Sequence, residues 1–207
     1  MKKTVNINLN GIGFTLDEDA YDVLEEYLNS INAHFKNKEG GAEIIKDIEA
    51  RIAELFQQLT AAGKQVLDVA DVNNVKEQLG KPSDFDEEEP IHEEEFTRSF
   101  KRLYRDPMDR IIGGVCSGLG AYFHVDPVWV RILFVIATLS GVSPLVYLIL
   151  WIIMPPARTA SDRLEMRGEP VNISNIEKVI REEFNGIRDR VDDLADKTRK
   201  KFSKKKP

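Results

Sequence analysis

From Ile132 to Met154 the chain runs 23 residues without a charged side chain, and the uncharged stretch continues through Pro155, Pro156 and Ala157. At about 1.5 Å per residue, a helix of that length would reach roughly 35 Å, against a hydrocarbon core of about 30 Å. Buried helices of water-soluble domains seldom run so far without a charge, so the stretch is expected to be embedded in a membrane. It lies too far from the N-terminus for a cleaved signal peptide.

Gly141-Val-Ser-Pro144 interrupts this run. Glycine weakens a helix, and proline lacks an amide hydrogen and disfavours helix in the residue before it. Gly141 and Pro144 therefore mark a kink, and two geometries follow. One is a single kinked transmembrane span. The other is a re-entrant hairpin of two short helices, near 128–140 and 144–154, entering and leaving on one side. Arg102, Arg105, Arg110 and Arg131 precede the run, while Arg158, Arg163 and Arg167 follow it. Positive charge on both flanks favours neither orientation of a single span and suits two cytoplasmic ends. Trp129, Tyr147 and Trp151 read equally as interfacial anchors or as packed aromatics.

The net charge of -6 hides an asymmetry: the first 100 residues carry 10 basic and 22 acidic groups, and residues 158–207 carry 14 and 10. An acidic front half repels phosphate, so nucleic acid is not an expected partner. With one cysteine, Cys116, no internal disulfide exists, and no Cys/His array has zinc spacing. No nucleophile, base or metal constellation appears, so neither an enzyme nor a bound cofactor is expected.

Residues 1–83 read as a soluble interaction domain, α+β or helical. Val5, Ile7 and Leu9 alternate with asparagines as on a half-buried strand, and Phe14–Leu16 suits a short return strand. Tyr21, Leu24, Leu28, Ile31 and Phe35 form one helical stripe; Ile44, Ile45, Ile48, Ile52, Leu55, Phe56 and Leu59 form a second. Glu43, Asp47, Arg51 and Glu54 lie off that second stripe and read as a solvated, ion-paired face. Asp71 is a candidate cap for a third helix over 72–79. Ile44, Ile48, Glu49, Ile52, Leu55 and Leu79-Gly80-Lys-Pro82 resemble the small helical signalling module of bacterial regulators over about 40 residues. Residues 84–100 form an acidic linker too poor in apolar side chains to make a core.

Ahead of the apolar run, 111–123 is expected to be a short glycine-rich helix. Gly113, Gly114, Ser117, Gly118 and Ala121 supply small residues for membrane-helix packing, and Gly114-x-x-x-Gly118 permits close approach of a second helix. The glycines lack the lysine of a P-loop and the spacing of a dinucleotide fingerprint. Asp126-Pro127 suits a helix start.

Arg110-Ile-Ile-Gly-Gly-Val-Cys-Ser-Gly-Leu-Gly-Ala-Tyr-Phe, Val125-Asp-Pro127, Val130-Arg-Ile132 and Tyr147-Leu-Ile-Leu-Trp-Ile-Ile-Met-Pro155 closely resemble the PspC domain of the phage shock protein C family, over residues 101–157. The resemblance implies a bacterial inner-membrane protein of the envelope-stress response, with no enzymatic activity. It also implies contacts with membrane lipids and with a regulatory protein partner, the N-terminal domain being cytoplasmic. The alternative is a structural membrane protein that forms a homo-oligomer and limits leakage.

After a linker, 158–173, Ser174-Asn-Ile-Glu177 suits a capping box opening an amphipathic or coiled-coil helix over 174–207. Ile176, Ile180, Phe184, Ile187, Val191 and Leu194 step by four and three, near a heptad seam. Such a helix suits dimerisation, folding back on the front domain, or lying on a membrane, and its basic end suits anionic headgroups. The fold class expected is thus a mostly α membrane protein with a kinked transmembrane or re-entrant segment.

Overall fold

A computed structural model describes residues 3–81, 101–139, 141 and 143–203. The acidic linker, with His92, and the last four residues lie outside these. Two strands, β1 (Thr4–Leu9) and β2 (Ile12–Asp17), pair antiparallel with Ile7 opposite Phe14. The alternation of the first strand puts Leu9 inside, and Phe14 and Leu16 on the second join it there. Then come α1 (Glu18–Phe35), α2 (Gly41–Ala61) and α3 (Val69–Leu79).

Leu67, between α2 and α3, bridges Leu16 at the hairpin edge. Its amide donates to Thr15 O and its carbonyl accepts from Asp17 N, each at 2.9 Å. The cap of α3 is Asp68 rather than Asp71. Asp68 accepts from the Asp71 amide, and Asp71 reaches back to the Asp68 amide, a reciprocal box that starts the helix three residues early.

The middle of the chain forms α4 (Val115–Phe123), α5 (Pro127–Leu139) and α6 (Ser143–Ile153). Here the expected membrane-spanning fold class is overturned: among the described residues no helix is long and apolar enough to cross a membrane. The 13 residues of α5 and 11 of α6 reach only about 20 and 16 Å. The break lies at Gly141, whose φ of +82° cannot continue a right-handed helix and whose amide caps Thr138 O at 3.0 Å. Pro144 stands in the first turn of α6, where its missing N–H costs no helical bond. Gly141 and Pro144 thus separate two helices; they do not kink one.

The segment 158–173, read as a linker, holds α7 (Ala160–Arg167), opened by a Thr159/Asp162 capping box. The last helix, α8 (Ile173–Ser203), begins before Ser174 because Asn172 is the residue that caps it, accepting from the Asn175 amide at 2.8 Å.

One hydrophobic core joins the two ends of the chain. Ile44, Ile48, Ile52 and Phe56 of α2 share it with Ala160, Leu164, Ile173, Ile176, Val179 and Ile180. Phe184 packs on its edge, with its ring beside Gly40. The apolar seam of α8 therefore divides. Ile176, Ile180 and Phe184 belong to the core of this same chain, whereas Ile187, Val191 and Leu194 are exposed.

Part of the carboxylate face of α2 is also covered, contrary to its reading as solvated, although Glu43 remains exposed. Asp47 is buried and accepts from the Ala160 amide at 2.6 Å, and burial holds its carboxyl above the ordinary range. Arg163 pairs with Glu183, tying α7 to α8.

Full burial of a large apolar side chain is worth about 1.5–3 kcal/mol, and truncating one in a core costs about 2–5 kcal/mol. Ile176→Ala is therefore expected to lower the stability of the front domain by that amount in urea titration. An unchanged midpoint would show that the two ends do not share a core.

Candidate functional site

The chemistry of the middle segment is set by how it is closed at its base. Ahead of the glycines, residues 101–104 have no regular secondary structure, and Arg105 forms an isolated parallel bridge with Pro156. The Arg105 amide donates to Pro155 O at 2.8 Å, and the Ala157 amide donates to Arg105 O at 2.9 Å. The Arg105 side chain adds an Nε–H bond to Met154 O at 2.8 Å, and its guanidinium lies 5.8 Å from the centre of the Trp151 ring. Entry to and exit from the apolar pair α5–α6 are thus fastened at one point.

The small residues let this segment lie against α4. A Cβ on Gly118 would fall 2.0 Å from Tyr104 O, and one on Gly114 would fall 2.1 Å from Asp106 O. Gly114 also has φ +78° and donates to Ile112 O, while its carbonyl accepts from the Asp106 amide at 3.1 Å. The Gly114-x-x-x-Gly118 pair faces the main chain of Tyr104 and Asp106. Gly113, at φ +64°, lies under Trp151. These two positive φ values hold 111–114 out of the helix, so α4 begins at Val115 and not at Ile111. Ser117 is buried and donates to Asp109 O, while Ala121 packs beside Tyr104, Ala157 and Met166.

A second fastening uses Arg131, from the start of α5. Its Nη2 donates to Asp109 Oδ2 at 2.8 Å, to Asp109 O at 3.1 Å and to Ser117 Oγ at 3.3 Å. Asp126 starts α5, accepting from the Val128 amide at 2.8 Å. Within the pair, Phe134 meets Tyr147 edge to face at 5.4 Å, and the Tyr147 hydroxyl donates to Ile112 O. Tyr147 and Trp151 therefore each meet a neighbour in the chain, although Trp151, like Trp129, is exposed.

The outer faces are apolar and open. No residue of α5 is buried; Leu133 is 65% exposed, Leu139 85% and, on α6, Ile152 74%. A contiguous apolar surface of this kind marks a place of contact with lipid or protein.

The base of the pair is tied to the shared core through Glu165 of α7, a buried carboxylate. It accepts from Arg51 of α2 at 2.7 Å and from the Tyr104 hydroxyl at 3.2 Å, with Arg102 3.7 Å away. Arg51 and Arg102 also pair with Glu54 at 2.7 and 3.1 Å. Burial pushes the Tyr104 phenol up to about 12, so it stays protonated and able to donate. Sequence reasoning did not find this junction. Its members lie up to 114 residues apart in the chain, and only Arg51–Glu54 has a helical spacing to signal it.

No group of three or more His, Cys, Asp or Glu able to hold a metal occurs among the described residues. Residues 101–157 match the PspC domain family. The middle segment is a PspC domain. No curated protein and no solved structure matches the chain. The PspC domain connects the chain with the envelope-stress role of phage shock protein C, and proteins of that family are generally membrane-associated. The match leaves out the front domain, where the resemblance over 43–85 stands on its own residues.

Within the PspC domain, Gly118→Ala forces a methyl into the Tyr104 carbonyl, an overpacking worth at least about 1–3 kcal/mol. It is expected to lower the melting temperature and speed exchange of the Arg105 amide. Gly13→Ala, with open space around its Cβ position, serves as the control. Equal behaviour of the two variants would show that the 104–106 segment does not rest on α4.

Proposed function

We propose that this chain is an envelope-stress signalling protein whose PspC domain contacts the membrane from one side through α5 and α6. Output passes by protein contact, not by catalysis. The observation that carries this reading is the exposed apolar pair fastened at its base by Arg105. Water disfavours so much bare hydrocarbon, and lipid removes the penalty without any crossing of the bilayer. Arg110, beside the exposed Ile111 and Ile112, suits anionic headgroups near the base.

Depth or packing of the bilayer around the pair would bias its base, and the Glu165 junction would carry that bias to the shared core of front domain and tail. The exposed Ile187 and Val191 on α8 offer a surface for a regulatory protein partner. In a bacterium the expected site is the inner membrane, with the front domain in the cytoplasm.

Flotation with anionic vesicles tests the contact. The intact chain is expected to rise with the vesicles, and Leu133→Asp/Ile152→Asp, at two exposed positions, is expected to stay behind. If the double variant floats as well as the parent, lipid is not what α5 and α6 meet.

Because the front domain and tail share a core, both belong to one compartment. In a Cys116→Ser chain, Gln57→Cys and Arg188→Cys are each expected to react with a membrane-impermeant thiol reagent only after cells are lysed. Labelling of either position in intact cells would refute a cytoplasmic front domain and tail.

A further inference from the structure

Between α4, α5 and α6 lies a cavity of about 470 Å³, the size of a small-molecule or single-chain site. Its walls are graded. At the base of the helical pair stand Arg131 and Ser117; Phe134 and Tyr147 follow, and Thr138 and Pro144 line the end toward the turn at Gly141. Arg131 and Thr138 are seven residues apart on α5, so the gradient runs over about 10 Å. Arg131 keeps donors in reserve. Among the described residues its hydrogen bonds run through Nη2, while a guanidinium has five N–H groups in a fixed fork.

We propose that this cavity binds one acyl chain of an anionic membrane lipid, with the headgroup at Arg131 and the chain running toward Pro144. The inference rests on the membrane contact argued above and adds a discrete site to it. Three features select this occupant. The walls are mostly apolar, as an alkyl chain requires. Arg131, ion-paired with Asp109 through Nη2 at 2.8 Å, offers its other N–H groups at the base, where headgroups would lie if the helical tips point into hydrocarbon. Val135, an exposed residue of α5, also lines the cavity, so its wall reaches the apolar outer face of that helix.

Cys116 lines the same cavity and is the chain's single cysteine, so it reports occupancy. Alkylation of Cys116 in the purified full chain is followed at alkaline pH, since burial raises the thiol pKa. The probes are lysophosphatidylglycerol and lysophosphatidylcholine, both below their micelle concentrations. For one site, protection follows one plus ligand concentration over Kd, so about ten times Kd slows the reaction about tenfold. Saturable slowing by the anionic lipid, weaker slowing by the zwitterionic one, and loss of the anionic preference in Arg131→Met are the expected results. Thr138→Trp, which fills the cavity, is expected to remove the lipid dependence while Leu133→Asp/Ile152→Asp retains it.

An alkylation rate indifferent to either lipid would overturn the site, as would equal protection by both or protection undiminished in Thr138→Trp. Slowing that grows with protein concentration in the absence of lipid would assign the cavity to a second copy and likewise overturn the proposal. Flotation run in parallel separates the two ideas. Flotation without Cys116 protection removes the cavity site alone, and loss of flotation removes the membrane contact itself.

Discussion

Everything in the middle of this protein depends on one close approach: a main chain, Tyr104 to Asp106, lying directly on α4. Only residues without a Cβ at 114 and 118 allow it. With that segment there, Arg105 can take up the returning chain at Pro155 and Ala157 and hold the Met154 carbonyl with its side chain. Two short apolar helices become a closed loop with both ends at one place. The arrangement satisfies backbone groups at the exit of the second helix, where polar groups left unpaired would be costly.

That closure makes the fold one-sided. The chain leaves the base through α5, reverses at Gly141, and returns through α6 to the segment it left. Immediately afterwards α7 and α8 join the core of the front domain. Glu165 stands where all three parts meet, within reach of Arg51, Arg102 and Tyr104. A buried carboxylate with two cations and a phenol is geometrically exacting, because losing any one partner leaves a desolvated charge undercompensated.

Much of the local structure was legible in the residues. Alternation fixed the first strand, stripes at three and four fixed α1 and α2, and Asp126-Pro127 marked the start of α5. The spaced glycines and the exit at Met154-Pro155 carried the resemblance to PspC, and residues 101–157 match that family. What misled was length: a charge-free run long enough to cross a bilayer says nothing of whether it is one helix. Glycine at φ +82° divided it, and among the described residues no helix is long and apolar enough to cross a membrane. The carboxylates of α2 misled for a related reason, since opposition to an apolar stripe implies solvent only if no other segment arrives to cover them.

The sequence by itself determined the first strand, the stripes of α1 and α2, the start of α5 and that 101–157 has the PspC pattern, because these follow from local periodicity and spacing; α7, in a segment read as a linker, did not show there. Only the tertiary structure decided what each face meets. The small-residue stripe rests on its own 104–106 segment. The first half of the α8 seam completes the front core, and the second half remains exposed. Asp47 meets the Ala160 amide and Arg51 meets Glu165, across 113 and 114 residues. A pattern in sequence specifies that a surface must be covered or a charge compensated. The partner is chosen by packing over distances along the chain to which local periodicity is blind.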